Sequence, residues 1–371
     1  MNDLFLYRYE NIYLLKNMKR ISIISIIMIC LISCTQNQLR VRQSANKNAV
    51  QSIDSADNTN NFYDNTETIP LPGVDLTIDG EIANPGKVDF SALPLHSVIV
   101  KETLLDSAGS DRFVGAYRYD GYSLFDILNS RKISKSNSKE FNPIIDLYVQ
   151  IENAKGKKVV FSWGEIFYPN NLHKIIIAGS VSRIVPSKTK DLWPLPLTSK
   201  VVAGNDLITE RNIEDPVKIT IKSFPKSFAV VKGMSPMYSA DFKLFKNEKQ
   251  VTEKVIVNEN HPVTYNTIFY GRGKGIHSTS PFTGLFLKDV ILKYYSLNKA
   301  DLMMGMVCLV GKDGYRCAIS YSELFNRNDQ EEFLLIRSNP GEDGGLFRVF
   351  AACDFFSDRA IKSLSEIHLI D

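Results

Sequence analysis

Residues 149–177 read VQIENAKGKKVVFSWGEIFYPNNLHKIII, and residues 307–335 read VCLVGKDGYRCAISYSELFNRNDQEEFLL. The two stretches align without a gap. Identities are few, but the apolar pattern agrees nearly throughout, which points to one shared local structure. Each begins as a strand, turns at a glycine (Gly156, Gly314) and returns as a second strand. Each then carries Ser-x-x-Glu, Ser162 to Glu165 and Ser320 to Glu323. That is the pattern of a capping box, in which the serine and the glutamate satisfy helix N-terminal amides reciprocally. A short helix bearing Phe167 or Phe325 follows, then a buried strand, Ile175-Ile176-Ile177 or Phe333-Leu334-Leu335.

The repetition extends to both sides. Upstream, Gly121-Tyr122-Ser123-Leu124-Phe125-Asp126-Ile127-Leu128 matches Gly284-Leu285-Phe286-Leu287-Lys288-Asp289-Val290-Ile291. Leu124, Ile127 and Leu128 stand at i, i+3 and i+4, as do Leu287, Val290 and Ile291, the spacing of one apolar helix face. Downstream, Val201-Val202-Ala203-Gly204-Asn205-Asp206 matches Val349-Phe350-Ala351-Ala352-Cys353-Asp354. An arginine, Arg211 or Arg359, follows each aspartate at the same distance, and closing strands occupy residues 217–221 and 365–369. Three blocks in one order describe a tandem duplication. Pro225, Gly233 and Pro236 mark the connection. The expected fold class is α+β, two tandem mixed α/β domains at residues 71–224 and 240–371, with a linker at 225–239.

The first copy opens with LTIDGEIANPG at residues 76–86 and continues to DGYSLFDIL at 120–128. It ends with Leu195-Pro196-Leu197, the run at 201–206 and the strand at 217–221. Together these segments resemble the oxidoreductase molybdopterin-binding domain, the central domain of sulfite oxidases, over residues 74–223. Residues 240–371 are similar to a more diverged copy. The resemblance implies a mixed α/β arrangement around a pterin pocket, with molybdenum held by the pterin dithiolene and one cysteine thiolate. The family's cysteine lies between the opening strands and the helix. The corresponding stretches here, residues 103–119 and 267–283, contain none. A soft thiolate tunes such a metal, and neither Asp106 nor Ser107 is an equivalent donor. No metal ligand is therefore assigned. Two functions follow: a domain that has lost catalytic molybdenum and serves in ligand binding or as an accessory module, or a molybdopterin-dependent oxidoreductase with an atypical ligand set.

The N-terminus sets the compartment. Lys19-Arg20 precedes an apolar run at residues 21–32 that closes with Ser33-Cys34. A short basic region, an apolar region and a small residue before the cut define a secretory signal. A cysteine directly after the small residue is what bacterial lipoprotein processing reads. Residues 1–33 are thus the expected signal peptide, with Met18 the expected start. Cys34 is the expected lipidation site and membrane anchor, on the periplasmic or cell-surface side. Residues 34–70 are polar and predict a disordered tether.

Lys and Arg number 44 against 41 Asp and Glu, a formal charge of +3. With no basic stripe among aromatics, nucleic acid is excluded as a partner. Cys308 and Cys317 flank a turn, so they fall on paired strands, as a cross-strand disulfide or as buried free thiols. The most site-like segment is YGRGKGIHSTS at residues 270–280. Its alternating glycines let amides converge on an anion, Arg272 and Lys274 supply charge, Ser and Thr add donors, and His277 is the one histidine placed in such a segment. These three are the candidate residues for a small anionic ligand. The Asp206/Arg211 and Asp354/Arg359 pairs read as ion pairs that fix a loop in each copy.

Overall fold

Strand Leu147–Asn153 alternates buried and half-buried positions, with Leu147, Val149 and Ile151 inward. It pairs antiparallel with Lys158–Ser162. The chain reverses between them where Gly156 takes a φ of 78°, a left-handed value that glycine adopts without a Cβ clash. Strand Pro216–Ser223 joins this hairpin antiparallel and runs parallel to Thr77–Gly80, and Gly86–Lys87 closes the sheet. In the second half the hairpin Met306–Gly311 and Arg316–Ser320 turns at Gly314, with φ 81°. It pairs in the same order with Leu364–Ile370, Lys243–Lys246 and Lys249–Thr252. Each half carries one further sheet. The first is His96–Leu105, Asp111–Ser123, Ile175–Arg183 and Lys200–Ala203; the second is Val263–Tyr265, Phe282–Phe286, Leu334–Arg337 and Phe347–Phe350. A two-stranded ribbon, Phe269–Gly271 with Gly275–Ser278, completes the set.

This computed structural model describes residues 66–371 apart from 74, 187, 253, 259 and 260. Cys34, the signal segment and the tether up to residue 65 lie outside the described residues. The end of the expected tether is attached: Ile69–Pro70 pairs with Val181 and Ser180, and Thr66 Oγ1 donates to the Arg183 carbonyl at 2.6 Å.

The fold is not the mixed α/β arrangement that the resemblance implies. Among the described residues strand makes up 40% and helix 11%, and the small sheets are arranged like a four-bladed β-propeller. The reason is helix length. Leu124, Ile127 and Leu128 are buried as their spacing requires, but their helix, Leu124–Asn129, is only six residues long. Its counterpart Leu287–Ile291 has five. One turn of helix cannot form a layer, because nucleation is costly and few bonds follow to offset it. Such turns sit at strand ends and are held by caps and packing. Two tandem sulfite-oxidase-like domains therefore do not describe this chain, and the fold supplies no case for a molybdopterin cofactor.

The two halves exchange equivalent contacts. Asn170 N donates to the Cys353 carbonyl and Asn328 N to the Asn205 carbonyl, both at 3.0 Å. Phe355 N donates to the Tyr168 carbonyl and Leu207 N to the Asn326 carbonyl, both at 2.8 Å. The sequence blocks align Asn170 with Asn328, Tyr168 with Asn326, and Asn205 with Cys353. Each bond thus has a mate running the other way.

Side chains follow the same exchange. Arg211 grips Asp206 through Nε (2.8 Å) and Nη2 (2.6 Å), and Arg359 grips Asp354 at the same two distances. The pairs fix loops, as their spacing suggested, and go further. Arg211 also reaches Glu165 (3.0 Å), and Arg359 reaches Glu323 (2.5 Å). Ser162 Oγ donates to Glu323 Oε2 at 2.6 Å, and Ser320 Oγ donates to Glu165 Oε1 at 2.8 Å. Hence only one of the two expected capping boxes closes. Ser162 and Glu165 form it, while Glu323 turns to Arg359 and to the other half's Ser162.

One apolar cluster spans both halves, from Ile78, Leu124 and Ile177 to Val307, Ile319 and Leu369. Apart from residues 188–190, the described residues belong to one compact unit. The register sets Cys308 opposite Ala318, and Cys317 opposite Leu309. The thiols therefore lie on opposite faces, in different clusters, and both are free and buried. Burial pushes the Cys317 thiol well above its ordinary value.

Candidate functional site

The ribbon Phe269–Gly271 and Gly275–Ser278 lies over a cavity of about 540 Å³ in the second half. That size suits a small organic ligand. One wall is aromatic. Phe269, Phe282 and Phe350 line it, with Phe282 and Phe350 stacked at 4.4 Å and Phe269 5.6 Å from Phe282. They come from three strands: Phe282 opens one, Phe350 ends another two strands away, and Phe269 belongs to the ribbon.

The polar part of the lining holds Arg348, Asp358 and Tyr315. The Tyr315 hydroxyl donates to the Asp358 carbonyl at 2.8 Å. Arg348 Nη2 donates to the Asp343 carbonyl at 2.8 Å, but its Nε is buried with no hydrogen-bond partner among the described residues. A buried donor left unpaired costs free energy, so this atom suits an incoming acceptor. Asp358 Oδ2 faces Arg272 Nε at 3.9 Å, which offsets part of its charge.

The structure separates the three residues chosen from sequence. His277 lines the cavity and meets Phe269 edge-on at 5.5 Å. Arg272 does not line it. Its guanidinium lies between the Tyr168 and Phe356 rings and donates to the Tyr168 hydroxyl at 3.1 Å, clamping the ribbon to the body. Lys274 sits exposed at the ribbon's turn, away from the lining. Arg348 and the aromatic wall carried no sequence signal beyond an ordinary strand pattern.

A second cluster lies in the first half. His96 opens strand His96–Leu105, Asp126 sits in the first turn of helix Leu124–Asn129, and His173 stands just before strand Ile175–Arg183. Antiparallel pairing of these neighbouring strands brings the three to one sheet end. His96 Nε2 is 2.7 Å from Asp126 Oδ2, and His173 Nδ1 is 3.5 Å from the same oxygen. The imidazole rings stack at 3.8 Å, 7° apart. Ser123 Oγ donates to Asp126 Oδ2 at 2.6 Å, accepts from the Asp126 amide and contacts His173 Nδ1 at 3.0 Å. Ser123 is fully buried and committed to capping, so it is no nucleophile. Burial, and then the charge of His96, push the His173 imidazole below its ordinary range, while Asp126 acts the other way. The residues are too far apart in sequence for ligand spacing to show them.

Comparison with protein-family models finds no match to this chain, and comparison with curated proteins finds none either.

Proposed function

We propose that this chain is a lipid-anchored binding module of the bacterial cell envelope, and that its second-half cavity takes a small ligand with an apolar, planar body and an anionic end. The cavity carries the reading: its lining combines phenylalanine rings with Arg348, whose Nε has no hydrogen-bond partner among the described residues. The phenylalanines would bury the body, and Arg348, with His277 at the rim, would meet the anion. The layout of residues 19–34, which is that of a lipoprotein signal ending at Cys34, supports the envelope location. Among the described residues no helix is long and apolar enough to cross a membrane.

The test is a fluorescence titration with anilinonaphthalene sulfonate, an anionic aromatic probe. Saturable binding at one site is expected. A lost charge-assisted hydrogen bond is worth about 1.5–3 kcal/mol, so Arg348→Ala should weaken binding by roughly tenfold or more. Phe282→Ala should weaken it too, and Lys274→Ala should leave it unchanged. Unsaturable binding, or equal affinity in all variants, sinks the proposal. For the anchor, Cys34→Ala should release the protein from the membrane fraction; continued attachment would mean that residues 21–32 themselves hold it.

A further inference from the structure

The histidine cluster of the first half plays no part in the binding function just described. We propose that His96, Asp126 and His173 form a site for one divalent transition-metal ion of the zinc class, with open coordination positions. All three can offer a ligand atom within 4.8 Å of the others. Zinc bonds nitrogen and oxygen at about 2.0–2.2 Å, which separates tetrahedral ligand atoms by about 3.3 Å. The distances of 2.7 and 3.5 Å to Asp126 Oδ2 bracket that value. The two rings stack face to face, so their in-plane lone pairs run parallel and at least one imidazole has to turn out of the stack to admit the ion.

The donor set also fits. Two imidazoles among the three donors favour zinc, nickel, copper or ferrous iron over magnesium or calcium. Three protein ligands leave room for water or a substrate atom, the arrangement of a reactive centre rather than a closed structural one. Ser123 Oγ donates to the same Asp126 Oδ2 and lies 3.0 Å from His173 Nδ1, so it would stand beside the ion as an outer-sphere partner.

The cluster is confined to one half. Asp126 has its counterpart in Asp289, but His173 aligns with Glu331 and Ser123 with Phe286. The helix at Leu287–Ile291 has no side-chain cap. The second half thus keeps a carboxylate at both positions but has no histidine in place of His173.

Metal-free full-length protein would be titrated with zinc against a chromophoric chelator, and with cobalt by visible spectroscopy. The expected result is one equivalent of zinc at micromolar or tighter affinity, with cobalt d–d bands and no thiolate charge-transfer band. His173→Ala and Asp126→Asn should each weaken zinc binding at least tenfold, and His277→Ala should not. If either variant misfolds, His96→Gln with the zinc-induced rise in melting temperature as readout decides the matter: the rise should vanish. The proposal is overturned if the native protein takes up no zinc, if a sulfur-to-cobalt band shows ligation by cysteine, or if the variants bind as the native protein does.

Discussion

Glu81 accepts four hydrogen bonds, from the amides and hydroxyls of Ser136 and Ser223, all at 2.7–2.8 Å. Partial burial pushes its carboxyl up, but these donors outweigh it and hold the pKa below the ordinary glutamate range. A carboxylate depressed in the folded state contributes stability that is present above its unfolded pKa and lost as pH falls through the folded value. Glu81→Gln should therefore cost about 1–3 kcal/mol at neutral pH. The gap to the native protein in urea midpoint should close below roughly pH 4.5. A gap unchanged down to pH 3 would mean that the carboxylate charge is not what these donors read. At this scale the sequence was informative where partners lie close together. The Asp206/Arg211 spacing was legible as an ion pair, but Glu165 and Ser320, which share Arg211, come from another block and the other half. His96, Asp126 and His173 were illegible for the same reason: only strand pairing makes them neighbours.

The short elements were legible in kind but not in consequence. Gly156 and Gly314 marked hairpin turns, and both hairpins form. The i, i+3, i+4 spacing marked helices, and all the predicted apolar positions on them are buried. What the pattern did not carry was length, and a single turn of helix cannot build the layer of an α/β fold. Helix Trp163–Phe167 shows how such a turn is used. A Cβ on Gly164 would stand 2.3 Å from Arg359 Nη1 and 2.5 Å from its Cδ. Arg359 is fully buried and tied to Asp354 and Glu323, so it cannot give way. Gly164→Ala should destabilise the protein by about 1–3 kcal/mol or more, although alanine favours helix. Chemical denaturation would show it; a neutral or stabilising outcome would mean that the two halves are less tightly seated than their hydrogen bonds indicate.

The molecule as a whole divides neatly in sequence and poorly in space. The same strand order recurs in each half, yet one apolar cluster and several exchanged bonds cross between them. Full-length protein should unfold in a single transition by calorimetry. Residues 66–224 and 239–371, produced separately, should each lack fixed near-ultraviolet dichroism and regain it on mixing. Cooperative melting of either piece alone would contradict this.

The reciprocal bonds between Asn170 and Cys353, and between Asn328 and Asn205, carry a consequence for how the protein responds to dilution. A contact in which each patch meets its own equivalent is the isologous type by which two identical subunits associate about a two-fold axis. Here both patches lie on one chain. The connecting segment replaces an encounter between molecules by an effective local concentration on the order of millimolar. The interface can then be weak by the standard of a free dimer and still stay closed. Its two faces are also released from identity, so each half can change residues without having to fit a copy of itself.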